Sequence, residues 1–351
     1  MSRSRAATAT VEGRFSGIAP HGKACFDGLS TTVYFKGRHM KKTSLLLMTV
    51  LCVASAAAQS GAPFRNAASG RGYKSLQAAV NSIGRGEGTI IIAPGTYRQC
   101  AVQTAGIIAF RAAIPGQSIF DTKTCEGKAA FVLRGQAARI DGIIFQNMRV
   151  PTANGAGIRL EKGNLTVTRS IFRNSEQGIL TADDSTGDIS IDQSSFSGLG
   201  RCDRGLSCAH SMNIGGYGAL SVTNSRFERG NGGHYVKSRA MRVTITDNAF
   251  DDSRGRGTIY MIDLPNGASG NIARNVFVQG ASKDNDSAFI TVAAEDPTQS
   301  SAGLSINANE ASIVPGVDRA SVFVADWSGD RLALGGNRLG RGLKPFEKRA
   351  R

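Results

Sequence analysis

Apolar and polar positions follow one recurring pattern along the middle of the chain. Two alternating apolar residues are followed by a small polar residue, Ser or Asn, and then by a phenylalanine. Alternation with a period of two predicts a strand with one buried face, and the small polar residue predicts a bend. Complete copies are Leu165–Phe172, Ile189–Phe196, Leu220–Phe227 and Val243–Phe250, and degenerate copies end at Phe145 and Phe277.

The spacing of these copies predicts a solenoid. Successive phenylalanines are 27, 24, 31, 23 and 27 residues apart. A period of about 25 residues with several short strands is typical of one coil of a repeat protein. The unit is neither leucine-rich nor helical. Equivalent side chains would therefore stack one coil apart, at the strand spacing of roughly 4.8 Å, in an all-β parallel β-helix.

A short helix is predicted ahead of the repeats. Ser75 is suited to be its N-cap and Gly84 its terminator, and the apolar residues between them follow helical spacing. We expect this helix to cover the N-terminal end of the coil stack, where exposed strand edges would otherwise invite aggregation.

These features resemble the right-handed parallel β-helix proteins of the pectin-lyase-like superfamily. The resemblance covers about residues 72–340 and includes the helix, an isoleucine-rich strand and the run Ala93-Pro94-Gly95-Thr96-Tyr97. It implies a single-stranded right-handed parallel β-helix. The aspartate and histidine motifs of polygalacturonases, the arginine motif of calcium-dependent pectate lyases and the signature of mannuronan epimerases are not matched. The resemblance therefore implies the fold more strongly than any one activity.

Residues 40–58 are typical of a secretory signal peptide. Lys41 and Lys42 precede the apolar run Leu45–Ala54, and small residues follow at Ala56–Ala58. The apolar run is too short for a membrane span. The alternative is a cytosolic protein with a short internal apolar helix.

This interpretation sets the predicted domain organisation. In this interpretation residues 1–39 are a mis-set upstream extension. Residues 59–340 are the β-helix domain, and residues 341–351 are a basic, poorly ordered tail. The predicted location is secreted or periplasmic.

Charge and cysteine content agree with export. The full chain has a formal charge of +15, and residues 59–351 keep +9 and four of the six cysteines. Cys100 and Cys125 are one period apart, and Cys202 and Cys208 lie within the longest coil. No CxxC motif is present, so we interpret all four as members of structural disulfides in an oxidising compartment.

Counting back from the repeat phenylalanines predicts a column of polar residues. Asn213 is 14 residues before Phe227, Lys237 is 13 before Phe250 and Asp263 is 14 before Phe277. The three should lie side by side on successive coils, under the loop that holds Cys202 and Cys208.

The strand around Lys237 carries the densest candidate chemistry. Alternation predicts Tyr235, Lys237 and Arg239 on one face, with His234 on the opposite face beside Val236 and Ser238. Such residues suit β-elimination on a uronate polymer, which needs a base, a cation for the sugar carboxylate and an acid. We assign Lys237 as the base, Arg239 as the carboxylate ligand, and Tyr235, His234 or His210 as the acid. A Lys/Arg pair is also known in some alginate and chondroitin lyases, which this assignment resembles.

Plainer interpretations stay open for these residues. Lys237 can be a solvated surface lysine, His234 and His210 buried hydrogen-bonded histidines, and Asp263 a turn residue ahead of Pro265. Asn213, Tyr235 and Asp263 are otherwise candidates for substrate binding.

Three functions are compatible with these residues. The first is a polysaccharide lyase acting on an acidic glycan, the second a non-catalytic polysaccharide-binding β-helix, and the third a glycoside hydrolase. Nucleic acid is disfavoured as a partner, because Trp327 is the sole tryptophan and no basic run is interleaved with aromatics. Calcium is left open through Asp251-Asp252 or through Asp284 and Asp286. The oligomeric state is undetermined.

Overall fold

A computed structural model describes residues 61–350. The predicted upstream extension lies outside the described residues, and so does the predicted signal peptide. Within residues 61–350 the one α-helix is Leu76–Asn81 (α1), and the strands are numbered in chain order.

The first strands, up to the middle of the chain, are Phe64–Asn66 (β1), Gly72–Tyr73 (β2), Glu87–Ile92 (β3), Gly95–Tyr97 (β4), Ala101–Gln103 (β5), Ile107–Ala112 (β6), Ser118–Asp121 (β7), Ala129–Leu133 (β8), Ala137–Asp141 (β9), Ile143–Gln146 (β10), Ala156–Leu160 (β11), Asn164–Thr168 (β12), Ile171–Arg173 (β13), Gln177–Thr181 (β14), Asp184–Asp192 (β15) and Ser195–Ser197 (β16). The remaining strands are Met212–Ile214 (β17), Tyr217–Thr223 (β18), Arg226–Glu228 (β19), Val236–Ser238 (β20), Arg242–Thr246 (β21), Ala249–Asp251 (β22), Ile262–Leu264 (β23), Ser269–Ala273 (β24), Val276–Gln279 (β25), Ala288–Val292 (β26), Ser305–Asn307 (β27), Glu310–Ile313 (β28), Ser321–Asp326 (β29), Ala333–Gly335 (β30), Arg338–Leu339 (β31) and Leu343–Lys348 (β32).

These strands form a parallel β-solenoid, as the repeat predicts. From β3 onward, every third strand joins the same sheet, so each coil contributes one strand to each of three sheets. The first sheet runs from β3 to β30, the second from β4 to β31 and the third from β5 to β32. Pairing between coils is parallel throughout these runs, and only β1 and β2 add antiparallel strands beside β3.

The repeat phenylalanines form one continuous stack inside the solenoid. Phe145, Phe172, Phe196, Phe227 and Phe250 pair in register on successive coils and are at most 1% exposed. Neighbouring ring centroids in this run are 4.7–5.1 Å apart, with nearly parallel planes. Phe277 continues the stack at 4.9 Å from Phe250. Burial of these rings supplies much of the apolar driving force of the fold.

The Ser and Asn positions form a second ladder at the bend between the first and second sheets. Asn248 donates its backbone N–H to Asn275 Oδ1, and Asn275 donates to Asn309 Oδ1, both at 3.0 Å. On earlier coils serines do the same, with Ser194 Oγ accepting from Ser170 N at 3.2 Å. The residue just before each bend has a positive φ, 48° at Arg169 and 62° at Asp247. This backbone conformation costs roughly 1–2 kcal/mol for a non-glycine residue, which the ladder hydrogen bonds offset.

The described N-terminal region contains the expected short helix, α1. Ser75 Oγ accepts from Ala78 N, and the helix buries Leu76, Ala79 and Val80. The Gln77 side chain hydrogen-bonds both backbone groups of Val102, accepting from its N–H at 2.7 Å and donating to its carbonyl at 3.0 Å. Two backbone groups of β5, the first strand of its sheet, are thereby satisfied.

The C-terminal segment differs from the prediction of a poorly ordered tail. Leu343–Lys348 form β32, which pairs in parallel with β29 from Ser321 to Asp326. Leu343 and Phe346 pack against the main core, and these two apolar residues among basic ones explain the difference. In the described part of the chain, no helix is long and apolar enough to cross a membrane.

The amide ladder predicts a graded loss of stability. Asn275→Ala removes the acceptor of the Asn248 N–H and leaves that buried donor without a partner. We therefore expect the free energy of unfolding, measured in urea, to fall by about 2–3 kcal/mol. Asn275→Ser is the matched control, because serine already accepts this hydrogen bond on earlier coils, and it should lose about 1 kcal/mol. Equal losses for the two variants would contradict the ladder as a source of stability.

Candidate functional site

The predicted polar column is present on the third sheet. In the strand register Asn213 pairs with Lys237, Lys237 with Asp263 and Asp263 with Thr291. The distances from the repeat phenylalanines predicted the positions of Asn213, Lys237 and Asp263, because coils of similar length bring equivalent positions together. Thr291 on β26 extends the column by one coil.

Lys237 and Asp263 form a buried ion pair within the column. Lys237 Nζ donates to Asp263 Oδ2 at 2.8 Å, and Thr291 Oγ1 donates to Asp263 Oδ1 at 2.7 Å. Lys237 is 7% exposed and Asp263 3% exposed. Lys237 is therefore not a solvated surface lysine, and both carboxylate oxygens of Asp263 have partners in a site with little water.

A second carboxylate joins the two cations of this strand. Glu295 contacts Lys237 Nζ with one oxygen and lies 2.7 Å from Arg239 Nη2 with the other. The segment that contains Glu295 is held against this strand, because Gln299 Nε2 donates to the Arg239 carbonyl at 2.8 Å. Glu295 is half exposed whereas Lys237 is buried. A half-exposed carboxylate thus bridges Lys237 and Arg239.

The two histidines stack on neighbouring coils beside this cluster. The ring centroids of His210 and His234 are 4.8 Å apart, and Tyr260 continues the stack 5.3 Å from His234. His210 Nδ1 accepts from His234 N at 3.0 Å, and His234 Nδ1 accepts from Tyr260 N at 3.1 Å. Because Nδ1 is an acceptor in both rings, the neutral imidazoles carry their proton on Nε2. His234 Nε2 is 3.5 Å from Asp263 Oδ2.

Burial keeps these histidines neutral. Desolvation lowers the pKa of His210 well below its usual value, and the nearby positive charge of Lys237 adds to this effect. Desolvation likewise lowers the pKa of His234, with Lys237, Lys283 and Arg239 contributing. The His234 side chain therefore offers a hydrogen-bond donor at Nε2, next to the Lys237–Asp263 pair.

Tyr235 lies in the core, and the predicted face assignment is wrong for it. The backbone bends at Tyr235 before β20 begins, so the alternation breaks there. Tyr235 is 1% exposed, and its hydroxyl donates to Asp252 Oδ1 at 2.7 Å. Burial raises its pKa well above the usual value, and the charge of Asp252 adds to this. The same bend brings His234 and Lys237 to one carboxylate, although the alternation predicts them on opposite faces.

Both predicted disulfides form. Cys100 pairs with Cys125 and Cys202 with Cys208, with Cα atoms 5.5 Å and 4.4 Å apart. Cys202 Sγ accepts from Gly233 N at 3.1 Å, so this loop contacts the turn just ahead of His234.

Three of the four aspartates considered for calcium are paired with protein cations. Asp252 is buried 3.2 Å from Lys283 Nζ, Asp251 contacts Arg226 at 2.8 Å and Asp286 contacts Arg319 at 3.0 Å. Within residues 61–350, no group of three or more His, Cys, Asp or Glu side chains is arranged to hold a metal ion.

The sequence pattern did not predict Glu295, Thr291 or Tyr260 as residues of this site. Tyr260 lies 26 residues after His234, one period, so spacing could have located it. The other two follow Phe277, after which Ala311 takes the phenylalanine position. Loss of the marker residue hides the register of those coils.

Known structures that are similar to this chain share little sequence with it. No protein-family model matches the chain, and no curated protein matches it. Among solved structures, the chain is similar to the PL6 family alginate lyase AlyGC, with 12% identity, a TM-score of 0.46 and coverage of 72% of this chain. It is also similar to the Streptococcus pneumoniae surface protein and adhesin PfbA, with 12% identity, a TM-score of 0.30 and coverage of 78% of this chain and 94% of the adhesin. The chain spans about a third (36%) of the alginate lyase.

Because the two histidines are buried and neutral, we expect the free energy of unfolding to fall in acid. Their folded pKa values lie below the unfolded value of about 6.5, so the unfolded chain takes up more protons as the pH falls below it. Each histidine then removes up to about 1.4 kcal/mol of stability per pH unit.

We expect the drop in unfolding free energy between pH 7 and pH 5, measured in urea, to be smaller in a His210→Gln/His234→Gln variant than in the wild type. The contribution of the carboxylates to the pH dependence is the same in both proteins, so it cancels in the comparison. An unchanged pH dependence would show that the histidines are protonated in the folded state.

Proposed function

We propose that this protein is a carbohydrate-active β-helix protein that cleaves an acidic, uronate-containing polysaccharide by β-elimination. The observation that carries the proposal is the convergence of Lys237 and Arg239 on one carboxylate, that of Glu295. A guanidinium group that binds a carboxylate, with an amine beside it, is what a lyase needs to neutralise the uronate group of its substrate and to take the neighbouring proton. In this proposal the substrate carboxylate takes the place of Glu295.

The neighbouring groups supply the remaining chemistry of elimination. Lys237 Nζ donates to Asp263 Oδ2 at 2.8 Å, and in the proposed reaction Lys237 passes this proton to Asp263 and acts as the base. Lys237 takes the proton from the carbon beside the sugar carboxylate, and the bond to the leaving sugar oxygen breaks. The electron pair of the broken C–H bond forms the carbon–carbon double bond. The Nε2–H of His234 hydrogen-bonds to the leaving oxygen, and that oxygen takes the proton from the Lys237 ammonium and leaves as a hydroxyl. Arg239 holds the sugar carboxylate throughout.

We place the protein outside the cytoplasm, secreted or periplasmic after removal of residues 40–58. Two disulfides support this location, because such bonds persist in oxidising compartments. N-terminal sequencing of the exported protein tests it, with Gln59 as the expected first residue.

Removal of the base tests the activity. The purified protein is incubated with a panel of acidic glycans, and unsaturated uronate products are followed by ultraviolet absorbance. We expect product from at least one glycan, and a loss of roughly 10²–10⁴-fold in Lys237→Ala. Lys123→Ala, at an exposed lysine away from the column, is the control and should keep full activity.

Two outcomes would contradict the lyase. One is no product from any glycan, with retention on acidic glycans that salt weakens, which supports the non-catalytic binding protein. The other is equal activity of Lys237→Ala and the wild type.

A glycoside hydrolase is the second candidate, and one observation favours it. Asp263 and Glu295 contact the same Lys237 nitrogen, so two carboxylates share one site, and glycoside hydrolases use such a pair. Such an enzyme would release reducing ends without unsaturated products.

Glu295→Gln separates the two activities. In a lyase, removal of this competing carboxylate should lower KM for the glycan by about threefold to tenfold and preserve cleavage, since the cations are freed. In a hydrolase, the same change removes a catalytic carboxylate, and kcat should fall by at least about 10²-fold. A kcat loss of that size, with no gain in affinity, would overturn the lyase assignment.

A further inference from the structure

Arginines concentrate on the turns that lead from the second sheet to the third. Two clefts lie on these turns, with volumes of about 410 Å³ and 730 Å³, and they share Asn231 and Arg256. The arginines lining one or both clefts are Arg149, Arg201, Arg204, Arg229, Arg254 and Arg256.

Four of these arginines, Arg149, Arg229, Arg254 and Arg256, lack a carboxylate partner within the described residues, and the last three lie on adjacent turns. Arg229, Arg254 and Arg256 are exposed, and none forms an ion pair there. Some exposed arginines elsewhere are neutralised, as where Arg169 pairs with Asp141 and Arg274 with Asp247, whereas others such as Arg98 are unpaired. A group of unpaired guanidinium groups is mutually repulsive, and a bound anion relieves that repulsion.

The backbone arranges the three arginines on neighbouring coils. Arg229 follows Phe227 by two residues and Arg254 follows Phe250 by four, and these phenylalanines pair directly in the second sheet. The Arg256 N–H donates to the Gly230 carbonyl at 2.8 Å, which ties the two turns together. The arginines thus lie on two neighbouring coils, whose strands are roughly 4.8 Å apart.

The turns also connect the clefts to the polar column. Gly232 and Gly257 line the first cleft, and they come two and three residues before His234 and Tyr260. A chain bound in the clefts therefore lies next to the start of the strands that carry the column.

The chemistry of the clefts favours a glycan over a nucleic acid. The described residues that line them include no aromatic side chain. Single-stranded nucleic acids are bound largely by base stacking on aromatics, whereas guanidinium groups without aromatics suit carboxylates and sulfates. Glu176, Asp203 and Asp284 also line the first cleft, and the first two pair with Arg204 and Arg201.

We propose that these two clefts are a binding surface for an anionic polysaccharide, held by Arg229, Arg254 and Arg256, which presents the polymer to the polar column. The inference rests on the proposed function and identifies where the polymer is bound outside the reacting groups.

The test compares two triple variants of the full chain. Arg229→Gln/Arg254→Gln/Arg256→Gln removes the proposed surface. Arg98→Gln/Arg242→Gln/Arg331→Gln removes the same charge from exposed arginines elsewhere that have no carboxylate partner in the described part of the chain. The probes are alginate, polygalacturonate and chondroitin sulfate, with neutral dextran and a single-stranded oligonucleotide for comparison, and Kd is measured at several salt concentrations.

We expect the cleft variant to bind at least one anionic glycan tenfold or more weakly and with a smaller salt dependence, and the control variant to change by less than twofold. Circular dichroism and the urea midpoint establish that both variants fold. Equal weakening by the two variants would overturn the proposal, because it would show only an effect of net charge. Tighter binding of the oligonucleotide than of every glycan, lost in the cleft variant, would assign the surface to nucleic acid and overturn it as well.

The outcome is distinguishable from failure of the proposed function. If no glycan is cleaved and the cleft variant still loses binding, the lyase fails and the binding surface stands. If cleavage depends on Lys237 while the cleft variant binds and cleaves like the wild type, the lyase stands and the surface fails.

Discussion

The hydrogen bond from each coil to the Ser or Asn side chain of the next is the interaction on which the rest of this structure depends. It occurs at the bend between the first and second sheets, next to a residue with positive φ. A bend of this kind is unfavourable by itself for a non-glycine residue. Repeated hydrogen bonding between coils makes it favourable, and it fixes each coil against its neighbour. Every other register in the solenoid follows from that alignment.

The polar column is a consequence of the same alignment. Lys237 and Asp263 are 26 residues apart in sequence, yet their strands pair directly, which brings the ammonium group to 2.8 Å from the carboxylate. Burial of such a pair is costly unless the remaining polar atoms have partners. Thr291 and Glu295 supply them. The cluster therefore combines charge, low exposure and fixed geometry, which are properties expected of a reactive site.

Two regions of the third sheet and its turns carry positive charge in different ways. In the column, Lys237 and Arg239 are neutralised by Asp263 and Glu295. On the turns, Arg229, Arg254 and Arg256 have no such partner within residues 61–350. A neutralised pair suits chemistry on a carboxylate that can replace Glu295, whereas unpaired arginines suit attraction of a polymer. The two regions differ because carboxylates lie next to the cations of the column and not next to these three arginines.

The sequence by itself determined the solenoid and most of the column. Repeated phenylalanines and Ser or Asn residues mark the coil length, and any residue at a constant distance from such a marker must lie beside its counterpart. Asn213, Lys237 and Asp263 could be aligned for that reason, and so could Cys100 and Cys125. Only the tertiary structure decided what periodicity does not encode. The bend at Tyr235 turned its ring into the core and brought His234 to Asp263, and Glu295 reached the site from coils whose phenylalanine marker is lost. The arginine surface depends on which exposed side chains find a carboxylate, and that is settled by three-dimensional neighbours that no spacing along the chain specifies.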